Sequence, residues 1–348
     1  MVALLIAGGV ALITAILGTP ILIRSLAVRG IGQQIREDGP QGHLTKAGTP
    51  TMGGVAILGA VVVGYVAAHI RTGAVFTASG VLVILVMLGA GLVGLADDWI
   101  KISRQRSLGL TKMAKTLSLV AVFLAFAIFA VWRAGVRADV SFARDVAFDL
   151  PDPIYLVWAV LLLLAAANAV NLSDGLDGLA AGSSMYAFSA FVFVGFWQFR
   201  HASCYGLGPA LDLSVIAAAM TGACAGFLWW NAAPAKIFMG DTGSLGIGAG
   251  LGALALTTNT QLLLPVIGGL FVMITMSVVV QVIGFRLWGI RVFRMAPIHH
   301  HFELLGWPEP TVIVRFWILA ALLAALAMGL FYADFLSAGI CRVLDQGA

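Results

Sequence analysis

Long apolar runs separated by short polar breaks dominate the chain. They predict ten helices, at 2–23, 52–70, 76–96, 113–132, 153–171, 179–198, 212–230, 244–258, 262–285 and 311–333. An α-helix needs about 20 apolar residues to cross a hydrocarbon layer ~30 Å thick, and inside that layer only a closed backbone such as a helix keeps its polar groups satisfied. The pattern therefore predicts an all-α, polytopic integral membrane protein of about ten transmembrane helices, folded as one membrane-embedded domain over residues 1–348. The first run has no basic segment ahead of it and is long enough to span, so it reads as a retained helix rather than a cleaved signal.

Composition supports this and excludes a soluble enzyme, a disordered chain and a disulfide scaffold. Hydrophobic residues make up 61% of the 348, and charged residues 10%, against about 25% charged in soluble domains. The 41 glycines fit a packed bundle, because small residues let membrane helices approach closely. Cys204, Cys224 and Cys341 show no CxxC spacing, which argues against metal or redox use.

Charge sets the sidedness. Ten spans place Arg24, Arg29, Arg36, Lys46, Lys101, Arg104, Arg106, Lys112, Lys115, Lys236, Arg286, Arg291, Arg294 and Arg315 on one face, and only Arg71, Arg133, Arg137, Arg144, Arg200 and Arg342 on the other. Lys and Arg accumulate in cytoplasmic loops, so the odd-numbered loops are expected in the cytoplasm and both termini outside.

The same odd loops carry nearly all the unusual polar residues. Asp97 and Asp98 follow an apolar helix at its C-terminal end, where the macrodipole disfavours carboxylates; an interfacial stop signal would be better served by Lys or Arg. Asn168, Asn171, Asp174 and Asp177 recur every three residues, offering hard oxygen ligands and hydrogen-bond partners for a sugar or base. Capping of the sixth helix by Asp177 is the plain alternative for that residue. Gly240-Asp241-Thr242-Gly243-Ser244 enters an apolar helix, an arrangement that cradles phosphate directly or through a metal held by Asp241; simple N-capping by Asp241 or Ser244 is the alternative. Phe238 can stack on a flat ring or merely pack. His299, His300 and His301 are adjacent, point in different directions and have no accompanying Cys, which disfavours zinc. The carboxylate- and amide-rich surroundings suit magnesium. Lys46, Lys101 and Lys115 follow the charge bias and are also available to phosphates.

Five stretches resemble a known family: GPQGHLTKAGTPTMGG (39–54), GLADDWIK (94–101), NAVNLSDGLDGLA (168–180), FLWWNAAPAKIFMGDTGSL (227–245) and RMAPIHHHFELLGW (294–307). The chain resembles the bacterial phospho-N-acetylmuramoyl-pentapeptide transferases, a branch of the polyprenyl-phosphate N-acetylhexosamine-1-phosphate transferases; the triple-His segment points to that branch. The resemblance implies ten helices with both termini outside, and transfer of phospho-MurNAc-pentapeptide from UDP-MurNAc-pentapeptide to undecaprenyl phosphate, giving lipid I and UMP for peptidoglycan. It also implies Mg²⁺ dependence, a homodimer in the bacterial plasma membrane, a cytoplasmic-face site, and no nucleic-acid partner. Matched by position, Asp241 is the magnesium ligand, and Asp97, Asp98, Asp241 and His300 are the catalytic set. Lys46, Thr51, Lys101, Lys115, Asn168, Asn171, Asp174, Asp177, Asn231, Phe238, His299 and His301 are then substrate-binding. The outer loop 133–152 receives no role. Two rivals stay open: a sibling transferase using UDP-GlcNAc, and a secondary transporter, whose acids should lie near the membrane midplane in two repeated halves.

Overall fold

The computed structural model describes residues 1–28, 48–104, 109–144 and 149–337. They form α1 (Val2–Val28), α2 (Gly54–Thr72), α3 (Ala78–Ser103), α4 (Lys112–Trp132), α5 (Asp152–Ser173), α6 (Leu179–Arg200), α7 (Ala202–Tyr205), α8 (Ala210–Asn231), α9 (Gly240–Thr257), α10 (Leu264–Ile267), α11 (Gly269–Trp288), α12 (Ile298–Leu304) and α13 (Glu309–Ser337). The architecture is all-α, and the protein is a polytopic membrane protein. Nine of these helices are long and apolar enough to cross a membrane, counting described residues only.

The helix expected at 244–258 is present as α9 but is not one of those nine. It is rich in glycine, and every residue from Thr242 to Thr257 is buried. It packs between α3, α5 and α2. A helix enclosed by protein does not need the hydropathy of one that faces lipid; it needs a thin waist. A Cβ placed on Gly94 of α3 would run into the backbone carbonyl of Asp241, so glycine there is what lets α3 touch the first turn of α9. The close approach brings two polar segments together at one end of the bundle.

Because the long helices alternate in direction, the C-terminal ends of α3, α5, α8 and α11 share one end of the bundle with the N-terminal ends of α2, α4, α6, α9 and α13. The opposite end is braced by polar contacts. Asp212 of α8 accepts hydrogen bonds from Tyr65 Oη (3.1 Å) and from Thr77 N (2.8 Å) and Oγ1 (2.6 Å), and its other oxygen lies 3.0 Å from His69 Nε2. Arg144, in the 133–152 segment that sequence left without a role, holds Asp334 of α13 through Nε (2.6 Å) and NH2 (3.0 Å).

Candidate active site

Asp97 and Asp98 do not open a loop, as their place after the apolar run suggested. α3 continues to Ser103, so both lie within it and both are 3% exposed. Continuation of the helix sets Lys101 one turn later on the same face. Its Nζ lies 2.7 Å from Asp97 Oδ2 and 2.8 Å from Asp241 Oδ2. Lys115, in the first turns of α4, reaches the same Asp241 oxygen at 2.7 Å. The other oxygen, Oδ1, accepts from Asn171 Nδ2 of α5 at 2.7 Å, and that amide also donates to Ser244 Oγ at 2.8 Å. Four helices thus converge on the Asp241 carboxylate.

The two neighbouring aspartates have different surroundings. Asp98 accepts from Asp241 N (3.2 Å), Thr242 N (3.0 Å) and Thr242 Oγ1 (2.8 Å). It closes the N-terminus of α9 from outside that helix, where otherwise unpaired N–H groups would sit buried; neither Asp241 nor Ser244 is the cap residue. Asp97 accepts from Leu110 N at 2.8 Å and pairs with Lys101. Carboxylate oxygens of Asp97, Asp98 and Asp241 lie within 4.8 Å of one another, making the one potential metal-binding group of three or more such side chains among the described residues.

Asp174, just past the end of α5, adds a fourth acid. Burial pushes its carboxyl up to about 8, helped by the Asp241 and Asp98 carboxylates and opposed by the Gly240 N–H. With Asp174 protonated at neutral pH, three carboxylates around two ammonium groups still leave surplus negative charge. This hard-oxygen set fits Mg²⁺, which binds through one or two carboxylates plus phosphates and water. Asp98 and Asp241 each accept three hydrogen bonds and Asp97 two; two of those at Asp241 come from lysine ammonium groups that an arriving cation can replace, whereas backbone N–H groups hold Asp98.

The remaining expected residues divide. Thr51 is buried beside Gly240, whose added Cβ would stand 3.0 Å from Thr51 Oγ1. Asn231 donates to Ile237 O at 2.8 Å and braces the turn between α8 and α9. Phe238 is half-buried, its N donating to Pro50 O at 2.8 Å. Asp177 does not cap α6, whose cap position is Gly178 with φ 79°; its carboxylate accepts from Ala235 N at 2.9 Å, while its own N donates to Glu309 Oε1 at 3.1 Å. Asn168 is exposed and bonds back to Leu164 O at 2.7 Å, away from the cluster. Lys46 lies outside the described residues.

The three histidines of α12 also separate. His299 is fully buried, and a Cβ on Gly175 would run into its Nε2. The same Cβ would stand 3.4 Å from His300 Nε2, so glycine at 175 lets α12 dock on the loop that carries Asp174. His301 turns away, its Nδ1 accepting from Arg294 N at 3.1 Å.

The polar cluster is assembled from segments with known counterparts. Residues 80–259 match glycosyl transferase family 4, a span that holds Asp97, Lys101, Lys115, Asn171 and Asp241. Residues 46–58 match signature 1 of the phospho-N-acetylmuramoyl-pentapeptide transferases. Transferases of that name from Frankia alni, Thermobifida fusca and Streptomyces griseus are 53%, 51% and 49% identical to this chain, across 96%, 97% and 95% of it and 98%, 99% and 98% of their own lengths. The chain belongs to the phospho-N-acetylmuramoyl-pentapeptide transferase family.

It is therefore a membrane transferase of peptidoglycan synthesis. For such a transferase, the sequence missed three contributors to the site. Thr242 and Ser244 look like ordinary helix-start residues, and their partners Asp98 and Asn171 are remote in sequence. Glu309 looks like a favourable acid in the first turn of α13, with nothing local to signal its bond to residue 177.

Proposed function

We propose that this transferase moves phospho-MurNAc-pentapeptide from UDP-MurNAc-pentapeptide to undecaprenyl phosphate, producing lipid I and UMP at the cytoplasmic face of the bacterial plasma membrane. The observation that carries the reading is the convergence of Asp97, Asp98 and Asp241 with Lys101 and Lys115 at one end of the bundle. A soluble nucleotide and a lipid phosphate can meet only at a membrane surface, and the helix ends hold the cluster there rather than at the midplane, where a transporter would place its acids. Both termini outside, as the Lys/Arg bias indicates, and a homodimer in the bilayer belong to the same reading.

Attack of one phosphate on a diphosphate gathers several negative charges, and a displacement of this kind depends on positioning and electrostatic stabilisation. Asp241 would hold Mg²⁺, which when bound supplies Lewis-acid and templating help. Lys101 and Lys115 neutralise phosphate oxygens, and Asn171 with Ser244 fixes the Asp241 carboxylate. A phosphate monoester has its second pKa near ~6, so it is mostly a dianion at neutral pH and already nucleophilic. Both Asp97 oxygens are engaged by N–H donors, which blunts them as nucleophiles. Asp97 therefore orients the lipid phosphate or takes its last proton, and the reaction is a single displacement.

The test is UMP release by purified protein given undecaprenyl phosphate and UDP-MurNAc-pentapeptide, with UDP-GlcNAc in parallel. Release with the first nucleotide alone supports the reading, and release with UDP-GlcNAc alone replaces it with the sibling activity. Inversion at the transferred phosphorus is expected; retention, or a phospho-sugar adduct on Asp97 without lipid, would mean that the carboxylate attacks first.

A further inference from the structure

α12 carries an acid, Glu303, besides its histidines. His300 Nδ1 lies 2.6 Å from Glu303 Oε2, one turn along the same helix, and the two side chains are 13% and 11% exposed. An ionised carboxylate only accepts hydrogen bonds, so Nδ1 carries the hydrogen in this contact and the ring orientation is fixed. Nε2 is then the nitrogen turned toward Gly175 and the loop bearing Asp174. His299 packs edge-on against the same ring, with centroids 4.3 Å apart, and limits its rotation from the other side. A half-buried ring held on one nitrogen by a carboxylate, with its other nitrogen beside the loop that carries Asp174, is the arrangement that presents imidazole to a ligand with a defined hydrogen.

We propose that Glu303 is a positioning residue for the diphosphate of the nucleotide substrate, acting through His300. Bonding to Glu303 and to a phosphate oxygen at once requires an N–H on each ring nitrogen, so His300 binds phosphate as the imidazolium and Glu303 balances its charge. Charge-assisted bonds of this type are shorter and stronger than neutral ones. The inference rests on the nucleotide-dependent reading above, and it adds the reason why an acid stands in a segment otherwise arranged to attract anions.

The experiment is a double-mutant cycle read as UDP affinity, measured by calorimetry on the purified full chain with Mg²⁺, for wild type, His300→Ala, Glu303→Ala and the double variant. Loss of one charge-assisted hydrogen bond predicts that each single variant weakens UDP about tenfold, and that the double variant is no weaker than His300→Ala alone. Glu303→Gln keeps an acceptor oxygen for Nδ1 and is expected to recover part of the loss. A merely structural Glu303 would cost the same factor in both backgrounds, and that multiplicative result overturns the proposal; so does unaltered affinity in Glu303→Ala, or no UDP binding by the wild type. UMP release is assayed on the same samples. A non-additive cycle without UMP release keeps the His300–Glu303 inference and rejects the transfer reaction, whereas an additive cycle with release does the reverse.

Discussion

Replacing Asp98 separates a structural duty from a chemical one. Its carboxylate accepts three hydrogen bonds of 2.8–3.2 Å from the first turn of α9 and is almost fully buried. In Asp98→Ala all three donors lose their acceptor. A helix cap is worth about 1 kcal/mol, and a buried group left unsatisfied costs about 1–3 kcal/mol. Water entering the vacated space near the helix ends, and relief of repulsion with Asp241, offset part of this. A net loss of about 2–3 kcal/mol remains, which lowers the melting temperature by roughly 4–12 °C at about 2–4 °C per kcal/mol. Asp98→Asn keeps one oxygen for the Thr242 N–H and hydroxyl and loses only the bond from Asp241 N, so its expected cost is about 1 kcal/mol. Both variants should lose most transferase activity, because neither carries the charge. The assay is thermal unfolding in detergent beside UMP release. An Asp98→Ala protein that melts with the wild type would refute the capping argument, and an Asp98→Asn protein with full turnover would remove Asp98 from the charge network.

Three further outcomes are expected. A cytoplasm-only fluorescent reporter fused to the C-terminus should stay dark, and a bright fusion would reverse the topology. Asn171→Ala should cut turnover at least tenfold by releasing Asp241, about the value of one hydrogen bond to a charged group, whereas Asn168→Ala should stay near wild type; equal losses would contradict the separation of these two residues. Asp174 titrates near about 8 in the fold and near about 4 when unfolded, so the folded protein keeps a proton that the unfolded chain releases. In metal-free protein its contribution to stability is complete below about pH 4 and lost as pH rises toward 8. Asp174→Asn should flatten that slope in melting curves taken in chelator, and an unchanged slope would show that Asp174 is ionised throughout.

The helices were legible because the lipid layer enforces one pattern on every span. Their ends were not, because hydropathy stops at the first charge while the backbone continues. α3 runs past Asp97 and Asp98 to Ser103, and α13 runs past Asp334 to Ser337. The three-residue spacing from Asn168 to Asp177 grouped four ligands in the sequence, but it is not the repeat of a helix face. A helix turns about 100° per residue, so each step of three falls 60° short of a full circle. α5 ends at Ser173, and within it Asn171 points at Asp241 while Asn168 points outward. The acidic and basic residues of the cluster were visible as motifs. Their pairing was not, since Lys115 and Asn171 reach Asp241 across 126 and 70 residues of chain.

Gly94 of α3, together with the glycines of α9, gives that pairing its physical basis. Long polar side chains can reach one another across a loose bundle, but then they are flexible and wet, and a hydrogen bond between them gains little. Bringing α3 into backbone contact with the first turn of α9 makes short side chains sufficient: Asp98 meets two backbone N–H groups directly, and Asp241 meets Lys101 without a bridging residue. Glycine inside a helix costs about 1 kcal/mol relative to alanine, so an isolated helix of this composition would be poor. Enclosure by α2, α3 and α5 supplies the packing that holds it. The least helix-prone span is therefore the one at the centre, and the acidic cluster lies at its N-terminal end because closeness there fixes both the helix and the charges.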